Sequence, residues 1–306
     1  MAIFTYALDA AMPNVCLSGV LTIGNFDGVH LGHQALLDEA AGQARAAACP
    51  SIAVTFEPHP SQLLRSERAG PFLSSVQDRI ALLQQHVTHV LILRTSPALL
   101  ALEAREFFEQ IIVKELQAKA LVEGFNFGFG KGRQGTTEVL REFCAAQNVH
   151  FTLVPPREVL GQPVSSSRVR AELLAGNVDI VALLLGRPYR TTGVVGIGQK
   201  RGATLGFPTA NLHDIVTLLP GDGVYAARAI VNARVWPAAV NVGPNPTFGE
   251  NARKVEAHLI GFAEQLYEQS LSIDFIKKIR ATKPFASVQE LIAQINADIE
   301  NVKKIV

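Results

Sequence analysis

The period of the apolar residues changes once along this chain, near Gly186-Arg187-Pro188, and the change divides it into two kinds of architecture. Before that point, short apolar runs alternate with longer segments whose apolar residues recur at helical spacing. Val20 to Ile23, Ser51 to Phe56, His89 to Leu93, Ala120 to Glu123 and His150 to Val154 are predicted strands. Gly32 to Ala47, Asp78 to Gln85, Ala104 to Glu115, Thr137 to Gln147 and Arg168 to Leu185 are predicted helices, the last opened by a serine run that can cap it. This alternation predicts a parallel sheet with helices on both faces. After Pro188, glycine and proline separate short alternating runs: Arg190 to Val195, Gly223 to Ile230, Val235 to Val240, Lys254 to Ile260 and Leu271 to Phe275. Such runs predict a small antiparallel β-barrel. Ser287 to Ile299 follows as a C-terminal helix, with Val288, Leu291, Ile292, Ile295 and Ile299 at helical spacing. The fold class is therefore α/β plus β. A length of 306 residues suits two domains, expected at 1–186 and 187–306.

Charge and cysteine content exclude several function classes. Lys+Arg 28 against Asp+Glu 27 leaves no basic footprint for nucleic acid or an anionic membrane. Cys16, Cys49 and Cys144 are odd in number and form no C-x-x-C pair, so free thiols are expected rather than disulfides or a zinc site. No stretch reaches 18 apolar residues, and no basic region leads into an apolar leader. A soluble protein of the cytoplasm is expected.

In open parallel sheets ligands bind at the carboxyl ends of strands, which points to the loop after Ile23. There Gly24, Asn25, Phe26, Asp27 and Gly28 lead to His30, Gly32 and His33 at a predicted helix start. Glycines let the backbone approach a phosphate chain, and two histidines three residues apart can face one anion beside free N–H groups. Val164-Ser-Ser-Ser-Arg168-Val-Arg170 puts hydroxyls and guanidiniums at another helix start. On residues alone, a glycine turn with surface histidines and an ordinary serine cap remain open alternatives.

In the second half, Gly193 to Asn211 is the densest run. Gly196, Gly198, Gly202 and Gly206 suit a phosphate-wrapping loop or, equally, a glycine-rich hairpin. Thr209 and Asn211 offer two oxygens suited to a hard cation. Glu256 is a lone carboxylate within Val255-Glu256-Ala-His-Leu259, either a base or a solvated strand residue.

The H-x-G-H and S-S-x-R segments together resemble the motif pair of the nucleotidyltransferase superfamily. With Thr55-Phe-Glu-Pro-His-Pro60 and Val122-Glu-Gly-Phe-Asn-Phe-Gly-Phe-Gly130 in this order, residues of roughly 18–186 look like the adenylyltransferase module of bacterial bifunctional riboflavin kinase/FAD synthetases. The run ending Gly206-Phe-Pro-Thr-Ala-Asn211 is similar to the G-F-P-T-A-N signature of riboflavin kinases. Gly223-Val-Tyr-Ala226, Asn241-Val-Gly243, Pro246-Thr-Phe248 and Val255 to Leu259 follow in family order.

The resemblance implies a Rossmann-like nucleotidyltransferase sheet followed by the barrel. It implies ATP-dependent phosphorylation of riboflavin to FMN, then adenylyl transfer from ATP to FMN, giving FAD and pyrophosphate. His30 and His33 would hold the ATP α-phosphate, and Ser166 and Arg168 the outer phosphates. Gly24, Asn25, Phe26, Asp27 and Asn126 would line that ATP site. Gly196, Gly198, Gly202 and Gly206 would wrap the kinase ATP, Thr209 and Asn211 would hold Mg2+, and Glu256 would be the base. The chain departs from the family at Asn126, often aspartate, at Thr282, commonly glutamate, and at Glu268, usually glycine.

Overall fold

The computed structural model describes residues 2–8, 12–64, 70–198, 202, 205–245 and 250–306. Lys200, Arg201, Ala203 and Thr204 of the glycine run, and Pro246 to Phe248, lie outside the described residues. The chain forms two compact units, residues 1–70 with 76–164, and residues 71–75 with 165–306.

The first unit is a six-stranded parallel sheet. Its strands are β1 (Ala2–Tyr6), β2 (Val20–Ile23), β3 (Ser51–Glu57), β4 (His89–Arg94), β5 (Ala120–Gly124) and β6 (His150–Val154), in the order β1-β4-β3-β2-β5-β6. The chain thus builds outward from β2 in both directions, and the strand order reverses between β2 and β5. Every residue of β2 is buried. Leu21 and Ile23 join a core cluster with Phe108, Ile111, Leu140 and Cys144. Val20, one face away, packs with Ala40, Ala44, Ala120 and Val122. Each of the larger side chains contributes roughly 1.5–3 kcal/mol by leaving water.

Helix α1 (Leu31–Ala46) is alanine-rich, and its small Ala40, Ala41 and Ala44 let it lie close to the sheet. Helices α2 (Pro60–Leu64), α3 (Val76–Leu83) and α4 (Pro97–Ala101) follow. Then α5 (Ala104–Glu106), begun by a Glu103/Glu106 capping box, runs on as a π-helical stretch, Phe107–Glu115. Helix α6 (Thr137–Ala146) precedes β6, and a small hairpin of β7 (Glu158–Val159) and β8 (Gln162–Pro163) closes the unit. The predicted strands and helices of this half are present. Strand β1 was not predicted, because an edge strand of alternating exposure carries no continuous apolar run.

In the second unit the predicted single helix from Arg168 to Leu185 is two: α7 (Ser166–Ala175) and α8 (Val178–Leu185). Gly176 separates them at φ +85°, and any side chain there would meet Lys278 and the Tyr225 hydroxyl. Helix α8 buries Val178, Val181, Leu184 and Leu185 within this unit. Packing therefore groups 165–185 with the barrel, although the change of sequence period falls at 186.

The barrel is closed and antiparallel. Its strands are β9 (Tyr189–Gly196), β10 (Ala210–His213), β11 (Gly223–Val231), β12 (Arg234–Asn245), β13 (Glu250–Leu259) and β14 (Ser270–Arg280), in the order β10-β13-β12-β11-β14-β9. Strand β10 lies inside the glycine- and proline-rich run, which hid its pattern. Helix α9 (Val288–Ile305) is capped by Ser287, whose hydroxyl accepts from Glu290 N–H at 3.2 Å. The segment 71–75 also belongs here. Phe72 bridges Thr217, Leu218 N–H donates to Phe72 O at 2.8 Å, and Arg170 Nη1 donates to Pro71 O at 2.7 Å.

Candidate active sites

The first site lies where β2 ends, at the reversal of strand order, the crevice in which doubly wound sheets bind ligands. Between Gly24 and His30 the chain turns tightly: Phe26, Gly28 and Val29 all have positive φ. The Phe26 side chain is buried with Val29, Leu37 and Leu83, so its backbone rather than its ring is offered to a ligand. Asn25 is exposed and Asp27 buried. His30 is the N-cap of α1: its Nδ1 accepts from His33 N–H at 3.2 Å. The rings of His30 and His33 are stacked, with centroids 3.7 Å apart and planes 14° apart, and Phe26 meets His33 edge-on at 5.3 Å.

Stacked imidazoles cannot both hold a charge cheaply. Burial first, then the charge of His30, push His33 well below the ordinary histidine value, so His33 is neutral near pH 7. Its Nδ1 is enclosed and has no hydrogen-bond partner among the described residues. The pair is thus a hydrogen-bonding surface at a helix N-terminus, and an arriving anion would favour its protonation. Asn126 is exposed on the loop after β5, where Arg133 Nη2 donates to its backbone carbonyl at 3.0 Å.

Ser166 and Arg168 belong to the second unit. Ser165 caps α7, accepting from Arg168 N–H at 3.2 Å, so Ser166 is the first helical residue.

Two residues of the first site escaped the sequence reading. Arg79 of α3, only 4 % exposed, donates to Asn25 O at 3.3 Å, Phe56 O at 3.1 Å and Glu57 Oε2 at 3.1 Å. Glu123 of β5, buried, accepts from Ile23 N–H at 2.7 Å. A charged residue inside an apolar run marked Glu123, whereas Arg79, beside Asp78 in an amphipathic helix, carried no such mark.

The second site is a cavity of about 510 Å³ in the barrel unit, lined by Gly196, Gly198, Gly202, Thr209, Asn211 and Glu256 among others. Gly206 sits in the turn before Thr209 at φ +88° and is not part of the lining. Gly198 runs against the Asn211 amide so closely that a Cβ would fall inside it. His258 holds the next stretch, its ring nitrogen Nδ1 2.8 Å from Pro208 O and its ring edge-on to Phe207.

Glu256 is not on an edge strand. β13 lies between β10 and β12, and Glu256 stands in register with Asn211 on one side and Asn241 on the other. Lys254, Glu256 and His258 alternate with buried Val255, Ala257 and Leu259; the first three line the cavity together with Val255, while Ala257 and Leu259 are core. A threonine hydroxyl, an amide and one carboxylate facing a single cavity form an oxygen donor set that suits Mg2+ keeping waters and phosphates as its other ligands.

The far wall comes from α9. Arg280 grips Asp298, with Nη2 2.8 Å and Nε 3.0 Å from Oδ2, and Gln294 Nε2 donates to Oδ1 at 3.0 Å. Asp298 is 3 % exposed and interrupts the stripe Leu291, Ile295, Val302, the one sequence signal that could have flagged it. Thr282 lines the cavity, whereas Glu268 does not. Glu268 has φ +62°, the backbone for which a glycine is suited.

Comparison with known proteins matches residues 14–168 to the FAD synthetase family and residues 185–306 to the riboflavin kinase family. Two similar relatives are bifunctional riboflavin kinase/FMN adenylyltransferases. That of Pseudomonas fluorescens is 38% identical over 281 residues, covering 92% of this chain and 90% of its own. That of Escherichia coli K12 is 35% identical over 281 residues, covering 91% and 90%. A solved structure from Streptococcus pneumoniae, described as a macrolide-efflux protein, superimposes with a TM-score of 0.86 at 30% identity, covering 98% of each chain. Efflux is said of that protein alone; among the described residues here no helix is long and apolar enough to cross a membrane. Two family matches in tandem, and relatives aligned over nine-tenths of the chain, place it: the chain belongs to the bifunctional riboflavin kinase/FMN adenylyltransferase family.

Proposed function

We propose that this chain phosphorylates riboflavin to FMN with one ATP and joins FMN to AMP from a second, releasing FAD and pyrophosphate. The observation that carries the reading is Glu256, a carboxylate held between Asn211 and Asn241 in the cavity that Thr209 also lines.

The two steps ask different things of the protein. Phosphorylation starts from a neutral alcohol, so Glu256 takes the proton of the riboflavin 5′-hydroxyl as the bond to the γ-phosphorus forms. Thr209 and Asn211 would hold Mg2+, which when bound neutralises charge on the transferred phosphate. Gly196, Gly198 and Gly202 leave backbone close to the phosphates, with Gly206 shaping the turn. Adenylyl transfer needs no base, because the FMN phosphate is already an anion. His30 and His33 hydrogen-bond the α-phosphate as charge builds on it, and Ser166 and Arg168 hold the departing pyrophosphate. Asn25, Asp27 and Asn126, with the backbone of Gly24 and Phe26, line that ATP site. Residues 1–186 would carry adenylyl transfer and residues 187–306 the kinase.

Balanced charge supports small-molecule substrates, without nucleic acid or membrane partners, and the free thiols Cys16, Cys49 and Cys144 suit action in the reducing cytoplasm. The test incubates the protein with riboflavin, ATP and Mg2+ and separates the flavins. FMN followed by FAD is expected; riboflavin left unchanged would overturn the reading.

A further inference from the structure

At the crevice between β2 and β5 the ladder opens early. β5 pairs with β6 from Ala120–His150 to Gly124–Val154, and β2 pairs with β3 from Val20–Ser51 to Ile23–Val54. Between β2 and β5, register extends only over Val20–Ala120 and Leu21–Leu121. Val20 and Gly24 donate towards β3, to Pro50 O and Val54 O, each at 2.9 Å. By the alternation of a strand, Ile23 N–H points the other way, towards β5. There it meets a side chain in place of a backbone carbonyl: Glu123 Oε1, at 2.7 Å.

Glu123 shares its face of β5 with Leu121, which packs in the cluster of Leu21, Ile23, Leu140 and Cys144. A branched hydrophobe would fit such surroundings at lower cost, because a buried carboxyl needs a partner or a purpose. Burial outweighs the hydrogen bond from Ile23 and holds the carboxyl well above the usual carboxylate range, which favours its protonated form. One residue after Ile23 the chain leaves the sheet at Gly24 and begins the turn that ends in the His30–His33 stack.

We propose that Glu123 is a positioning residue for adenylyl transfer: its carboxyl replaces a β5 carbonyl for Ile23 N–H, wedges β2 from β5, and so sets where the His30–His33 pair stands in the crevice. The proposal rests on the adenylyl-transfer reading of the first site. Glutamine keeps the acceptor and the length of the wedge. Valine removes both and lets the strands close.

The experiment measures FAD formation from supplied FMN, with kcat and the KM for ATP determined separately, in wild type, Glu123→Gln and Glu123→Val. FMN formation from riboflavin in the same preparations reports folding of the other site. Glu123→Val is expected to lose roughly 10²-fold, mainly in kcat, the scale of a 1 Å misplacement of catalytic groups. Glu123→Gln is expected to stay within about threefold, because the acceptor survives. FMN formation should be unchanged in both. If Glu123→Val also loses FMN formation, Glu123→Met, unbranched and of similar length, puts the same question. Full FAD-forming kcat in a folded valine or methionine variant overturns the proposal, as does a glutamine variant as impaired as valine. A wild type that makes no FAD from FMN fails the adenylyl-transfer reading itself, a different result.

Discussion

The Arg79 guanidinium donates to the Asn25 carbonyl at 3.3 Å, tying helix α3 to the loop that leads into His30. The same group reaches Phe56 O and Glu57 Oε2 at the end of β3, so one buried cation spans two strand ends. Burial pushes its pKa down, while Glu57 and then Asp27 draw it back up. Arg79→Met would strand the Phe56 carbonyl and leave the Asn25 carbonyl only the Thr55 hydroxyl, at 3.5 Å. We expect a loss of roughly 1–3 kcal/mol from the first unit, the cost of one orphaned acceptor. FAD formation should fall with FMN formation intact. Thermal unfolding and the two assays check this.

His30 has two separable duties. As a hydrogen-bond donor to the α-phosphate it is expected to contribute roughly 10²–10³ in rate, so His30→Ala should lose that factor in FAD formation only. As the N-cap of α1 it is worth about 1 kcal/mol. Asparagine is a good N-cap, so His30→Asn should recover the stability and not the rate. Recovery of both would remove His30 from the chemistry.

Glu256→Gln keeps size and hydrogen bonding while abolishing proton affinity. FMN formation from riboflavin should drop roughly 10²–10⁴-fold. FAD formation from supplied FMN should continue, since that nucleophile carries no proton to remove. Near-normal turnover from riboflavin would return Glu256 to a structural role.

Two groups of the first unit, half-buried His33 and buried Glu123, oppose each other in pH. His33 has its folded pKa lowered, so below about 6.5 the unfolded chain gains a proton that the folded one refuses, and stability falls as pH falls. Glu123 has its folded pKa raised, so above about 4.5 the unfolded chain releases a proton that the folded one retains, and stability falls as pH rises. Cys144, facing Glu123 from α6, stays protonated throughout, its thiol pushed up to about 12 by burial and then by Glu123. Denaturant midpoints should therefore show His33→Gln gaining on wild type towards pH 5, and Glu123→Gln gaining on it towards pH 8.

Glu268 occupies a left-handed turn before β14, with its N–H on Val195 O at 2.8 Å. Glu268→Gly should relieve the backbone and stabilise the barrel by about 1 kcal/mol. As the residue lies outside the cavity lining, FMN formation should not change. A lower unfolding midpoint would contradict this.

Both loops with clustered motif residues were legible because several such segments follow one another in a fixed order, although each alone could be an ordinary glycine turn or serine cap. The supports behind them were not. Arg79 stands next to Asp78 in an amphipathic helix, where a charge reads as solvated, yet it is 4 % exposed because two strand-end carbonyls lie beneath it. Asp298 differs, since it breaks an otherwise apolar helix stripe, but its partner Arg280 stands 18 residues earlier, on another element. The break at Gly176 was missed because α7 and α8 are each helical in period, and only packing against Lys278 and Tyr225 shows why the chain must turn there. Candidate site side chains clustered in short loops left a local pattern, and those that pair with other protein across long sequence separations did not.

The segment 71–75 gives the barrel unit a discontinuous inheritance. Phe72 sits beside Thr217 and supplies the acceptor for Leu218 N–H, although some 90 residues of the other unit separate it from α7. No single cut in a gene can lift this unit out whole. A freestanding descendant of the barrel would have to recruit new chain alongside Thr217 and Leu218, or surrender that backbone to water.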